Sequence, residues 1–247
     1  QKGMAPSLIG DNYAKDLSQL PSFPGGSFIS HTSCFILPDD VVILRLTETT
    51  YDSADYDHIA VVEEVSFTDA EFIASHIDDL RDNDGLEDSE IVDHILSLEM
   101  EDEGKSEVIA RFAYDNFSFL DPNGKPAEGK QIRGAYVTPE RAGAGLAGQI
   151  YRHLTEVHKH LICDNTQTVY GAALWANTVR NVAGRVDIYN AAKHEYVEEL
   201  GEGARGVNGF IPWDIGKLHP SSLGKWQQYP FNPNIQQCYY LVLIISA

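Results

Sequence analysis

"AYVTPERAGAGLAGQIYRHL", residues 135–154, is the stretch that decides the fold. A β-rich run ends at Pro139, a loop containing Gly143 and Gly145 follows, and a segment of helical period begins without a break. Leu146, Ile150, Leu154 and Val157 recur three to four residues apart, which predicts a helix with one buried face. Strand, glycine loop and helix N-terminus is the layout that holds a phosphate group on backbone amides. Free N–H groups converge on the first turn, and that end of the helix carries about half a positive charge. Glycine lets the backbone approach an anion where a Cβ would collide. A purely architectural reading, in which the glycines only permit a tight strand-to-helix turn, stands beside this one.

Working outward, residues 1–26 are polar and end in "LPSFPGG", which reads as a loop or an arm. "SFISHTSCFIL" and "VVILRLTET" read as two strands joined by the turn "PDD", and "HIAVVEEVSF" as a third. At Thr68 the period changes. "TDAEFIASHIDDL" predicts an amphipathic helix opened by a capping box of Thr68 and Glu71, and "SEIVDHILSLEM" predicts a second helix. "SEVIARFAYD" and "NFSFLD" alternate like two exposed-edge strands, "DPNG" supplies a turn, and "GKQIRGAYV" leads into the opening stretch. Downstream come a short buried strand at "HLIC", a helix at "TVYGAALWANTV", a strand at "RVDIYN" and a closing strand over 238–246. Residues 201–236 are rich in Gly, Pro, Asn and Trp and have no period, as a functional or surface-wrapping loop would. The pattern predicts an α/β fold around a mixed sheet. It divides into an N-terminal arm with a first strand (1–40), a main domain (41–200) and an irregular wrap ending in a strand (201–247).

The net charge of −19 over 247 residues disfavours a nucleic acid partner, which needs clustered Lys and Arg. Residues 78–103 alone hold twelve carboxylates and one Arg. This segment reads as a solvated face or as an acidic docking surface for a basic partner. Its "DNDG" is no calcium loop, because aligning Gly85 with the loop glycine puts Leu80 and Ile91 at ligand positions. The apolar run "CYYLVLIISA" is about half the length of a membrane helix. Three cysteines, Cys34, Cys163 and Cys238, are too few and too scattered for a disulfide framework or a zinc site. His153, His158 and His160 give no i, i+4 pair, so the sequence assigns no metal ligand. Taken together these features predict a soluble, cytoplasmic protein.

From Tyr136 to Tyr189 the sequence resembles the GNAT superfamily of acetyl-CoA-dependent acetyltransferases. The resemblance rests on "VTP" (Val137–Pro139), on Gly145-Leu146-Ala147 as the end of the family's glycine loop, and on "LICDNTQTVYGAALW" followed by "VDIYN". That downstream order is similar to a variant common in bacteriophage genomes. It implies a GNAT-like, mostly antiparallel sheet flanked by helices, and acetyl-CoA as co-substrate. Pyrophosphate would lie on Gly143, Ala144, Gly145, Leu146 and Ala147, with the pantetheine arm along Tyr136, Val137 and Thr138. The family's basic residue in this loop falls at Ala142 here, with Arg141 one place early, so Arg141 is the expected phosphate contact. Where the family often uses a tyrosine as acid, this chain has Trp175. Tyr170 is the substitute acid, and Asp164 and Glu140 are the candidate bases. The acceptor would be an amine or a lysine, steered by the acidic surface. Arg133, Arg141 or Arg152 would supply a local positive patch for the polyanionic co-substrate. The alternative is a phage-encoded effector that keeps the fold, has lost catalysis and binds a host protein.

Overall fold

The computed structural model describes residues 7–9, 16–143, 145–216, 220–226 and 228–247. The strands are β1 (Ser7–Ile9), β2 (Ser27–Ile36), β3 (Ile43–Tyr51), β4 (His58–Glu64), β5 (Glu107–Leu120), β6 (Pro126–Val137), β7 (His160–Ile162), β8 (Thr166–Thr168), β9 (Asp187–Asn190), β10 (Glu195–Glu199) and β11 (Leu241–Ser246). The α-helices are α1 (Ala70–Asp82), α2 (Asp88–Ser97), α3 (Leu146–His158), α4 (Val169–Ala173), α5 (Arg180–Ala183) and α6 (Ile235–Cys238). Nine strands hydrogen-bond in the order β10-β9-β11-β7-β6-β5-β4-β3-β2, while β1 and β8 form a separate parallel pair. The fold is α/β, as the alternation of periods predicted, and its open sheet is mostly antiparallel. The chain divides into two compact units: residues 17–113 with 135–141, and residues 1–16, 114–134 and 142–247.

In the first of these, β2 and β3 form the expected hairpin, paired from Ser27↔Tyr51 to Ile36↔Ile43. The "PDD" turn closes with Asp40 N–H donating to the Leu37 carbonyl at 3.1 Å, and the Asp40 carboxylate accepts from Val41 N–H at 2.7 Å. α1 and α2 begin with side-chain caps. The N-cap of α1 is Asp69, whose carboxylate accepts from Phe72 N–H at 3.0 Å, and not Thr68. The Thr68 hydroxyl instead donates to the Met100 carbonyl, because its backbone already bridges to that segment. α2 carries a reciprocal capping box between Glu87 and Glu90. Both helices bury one aliphatic face: Ile73, Ile77, Leu80, Ile91, Val92 and Ile95 pack with Ile36, Ile43 and Val65. Beside this core, Arg45 holds Glu101 through two 2.7 Å bonds, which keep that carboxyl below its ordinary range.

Two expectations change at β5. The segments read as separate edge strands are one strand of fourteen residues, with sheet neighbours on both sides. Asn116 and Asp115 broke the alternation in the sequence, but a strand interior tolerates them when other side chains meet them, and Lys130 Nζ donates to Asn116 at 2.5 Å.

In the other unit, α3 lies across from a helical run built of α4, a π-helical segment Leu174–Val179 and α5. Contact there is close: a Cβ on Gly148 of α3 would sit 2.6 Å from Thr178 Cγ2. Trp175 is buried against Tyr151, with ring centroids 5.8 Å apart. β10 was not expected from the sequence. It pairs with β9 through a bulge between Tyr196 and Glu198, which disrupts the period-two signal. β1, inside the stretch read as a loop or arm, pairs in parallel with β8 from Ser7↔Thr166 to Ile9↔Thr168. The remaining positions of that arm, 1–6 and 10–15, lie outside the described residues, as do 217–219 and 227 of the C-terminal wrap. The described part of the wrap is anchored by two buried tryptophans 5.8 Å apart. Trp213 Nε1 donates to Gln167 Oε1 at 2.8 Å, and Trp226 Nε1 to the Pro230 carbonyl at 3.2 Å. A buried indole needs such a partner, and here the partners fix an irregular chain. No helix among the described residues is long and apolar enough to cross a membrane.

Candidate functional site

The glycine loop leads into α3 as the sequence predicted. Gly143 has φ 85°, and Gly145, the N-cap, has φ 73° and ψ 5°. Both are left-handed, the region where a side chain is strained. A Cβ on either glycine would meet no atom within 4 Å among the described residues. Conformation, not crowding, therefore selects glycine, and the side of the loop where a Cβ would point is open. Ala144, between them, lies outside the described residues. The first intrahelical bond runs from Gln149 N–H to the Gly145 carbonyl at 3.2 Å, and no side chain caps the helix. The amides of Leu146, Ala147 and Gly148 precede that bond in the first turn, where a helix offers them no acceptor of its own.

β6 and β7 flank this helix in the chain and pair in parallel over only two positions, Lys130↔Leu161 and Gln131↔Ile162. Past that point side chains replace the ladder. Gln131 Nε2 donates at 3.1 Å both to the Cys163 carbonyl and to Asn165 Oδ1. Arg133 lies 3.9 Å from the Asp164 carboxylate and 3.7 Å from Asp115. Asp164 is thus a mostly buried carboxylate held beside a guanidinium. Burial first, and the Asp164 charge second, push the hydroxyl of the fully buried Tyr151 well above its ordinary range. Burial likewise pushes the Cys163 thiol up to about 12, so it is no nucleophile at neutral pH.

Comparison with protein families, with curated proteins and with solved structures finds no match to this chain.

The remaining expected residues meet different partners. In the unit formed by 17–113 and 135–141, Tyr136 packs on Leu17, Ile59 and Ala113. Thr138 N–H donates to the Ile109 carbonyl at 2.9 Å, and Arg141 N–H to the Thr138 carbonyl at 3.0 Å. Val137 is half-buried at the end of β6, and Glu140 is exposed in the turn beyond it. The Arg141 guanidinium forms an ion pair with Glu64. In the other unit, Tyr170 is 66% exposed in the first turn of α4, where Lys225 Nζ sits 5.3 Å above its ring. Arg152 pairs with Glu156 at 3.2 Å. Each of the three arginines expected to form a positive patch is already engaged by a carboxylate. The sequence did not single out Tyr151, Gln131 or Asn165. Gln131 lies in β6, Tyr151 in α3 and Asn165 after β7, and no local pattern says which way their side chains point.

Proposed function

We propose that this chain binds acetyl-CoA and transfers its acetyl group to an amine, with the pyrophosphate on the amides of residues 143–147. One observation carries the reading: α3 opens on a left-handed glycine with no side-chain cap and no atom where a Cβ would be among the described residues. A first turn in that state suits an anion. The backbone of Tyr136, Val137 and Thr138 belongs to the same proposal as the pantetheine contact. Arg141 would exchange the Glu64 carboxylate for a phosphate oxygen, one anion for another. Asp164, mostly buried beside Arg133, is the stronger candidate for accepting the amine proton, and the exposed Glu140 the weaker. Tyr170, an exposed tyrosine, is the candidate donor to the departing thiolate.

Titration calorimetry of the chain with acetyl-CoA tests this directly. Saturable binding that inorganic pyrophosphate competes away is the expected result. Absence of any heat at millimolar acetyl-CoA would overturn the reading. It would leave the second one, a non-catalytic effector whose acidic segment 78–103 docks on a basic host protein.

A further inference from the structure

α1 and α2 bring together two imidazoles that stand eighteen positions apart in the sequence. His76 Nε2 and His94 Nε2 lie 3.1 Å from each other, with ring centroids 5.1 Å apart and planes inclined by 61°. Each histidine directly precedes a buried isoleucine, Ile77 or Ile95, so both rings sit at the rim of the aliphatic core that locks the two helices together. Phe72, one turn before His76, stacks on its ring at 5.5 Å and 21° and holds its orientation.

Two Nε2 atoms at this distance share one proton: one nitrogen donates and the other accepts through its lone pair. Move that proton to Nδ1 of the same ring, the other neutral tautomer, and two lone pairs converge on one point. An ion about 2.0–2.1 Å from each nitrogen, the normal zinc–imidazole length, would subtend ~98° at the observed 3.1 Å separation. That angle falls between the octahedral and tetrahedral values, so the rings need move little to accept it. We propose that His76 and His94 form a two-histidine site for a first-row divalent ion, zinc foremost. Imidazole is the ligand such ions favour over magnesium or calcium. The surrounding segment 78–103, with its twelve carboxylates, raises the local concentration of cations. Those carboxylates do not complete the shell: Glu90 caps Glu87 N–H, Asp79 accepts from Asn83, and no group of three potential ligands converges among the described residues. Water fills the other positions, which leaves them exchangeable for a ligand brought by another molecule.

The test is zinc titration of the chelator-treated chain by calorimetry at neutral pH, with zinc sulfate as the probe. Binding at one ion per chain is expected. His76→Ala and His94→Ala should each weaken zinc binding by at least the roughly 10–100-fold that loss of a mere outer-shell partner costs. His153→Ala should leave it unchanged. Circular dichroism checks that each variant is folded, and His94→Gln, at an exposed position, serves if His94→Ala is not. Electron paramagnetic resonance of the copper(II) form should show two imidazole nitrogens in the parent chain and one in each variant. Zinc affinity indifferent to both histidines, or no binding at millimolar zinc, would overturn the proposal.

Discussion

α1 and α3 are both thirteen-residue helices with one buried face, but they begin in opposite ways. α1 starts with a carboxylate folded back onto its own first turn, Asp69 on Phe72 N–H. α3 starts on a glycine that contributes no side chain at all. The difference separates two uses of one secondary structure. A helix that brings its own anion is finished, and its dipole is neutralised internally. A helix opened by left-handed glycine is left with donors and a partial positive charge facing outward. Stability alone favours the first arrangement, since a side-chain cap contributes about 0.5–2 kcal/mol. That makes the second the better place to look for a ligand.

The comparison can be broken most sharply at Gly145. Gly145→Glu puts a carboxylate beside the first turn of α3 and so supplies the anion internally, as in α1. Acetyl-CoA binding should disappear in calorimetry, while the left-handed φ should lower stability by about 1–2 kcal/mol in denaturant melts. Retained binding in a folded variant would mean that the open end of α3 is only architectural. Arg141→Ala comes next. If its guanidinium moves from Glu64 to phosphate, acetyl-CoA affinity should fall by about 1.5–3 kcal/mol, the worth of a hydrogen bond to a charged group. An unchanged dissociation constant would assign Arg141 to Glu64 alone. The smallest effect is at α1: Asp69→Ala should cost about 0.5–2 kcal/mol of stability in urea. It should leave acetyl-CoA binding untouched, because that end of the helix was never open.

Elements with one buried face and a clear period were legible in the sequence. Ile73, Ile77 and Leu80 lie on one side of α1, and the β2–β3 register follows from a turn between two β-branched runs. Signals failed where a structure departs from its ideal period. The bulge in β10 hides a strand, and the π-helical turn around Trp175 changes which residues of 169–183 face inward. The cap moved from Thr68 to Asp69 because two adjacent residues can both cap, and only tertiary contact with Met100 decides which one does. The candidate site was half legible. Gly143 and Gly145 could be read from spacing, because positive φ has a sequence signature. The pairing of Arg141 with Glu64 and the meeting of His76 with His94 could not. Both depend on side chains brought together from separate elements, and no local pattern encodes that.

The parallel pair of β1 and β8 has a consequence for how the chain reaches its fold during synthesis. Ser7 meets Thr166, so the two edges of this ribbon leave the ribosome far apart in time. When Ser7–Ile9 emerges, its partner has not been translated, and every strand from β2 to β7 is made before it. The pairing therefore closes late, after most of the sheet order can already be set. Non-local pairing of this kind slows folding, since loop closure must precede any gain from contact. In order of synthesis the three-residue ribbon follows β2 to β7 and precedes β9 to β11, so it cannot seed the strands made before it.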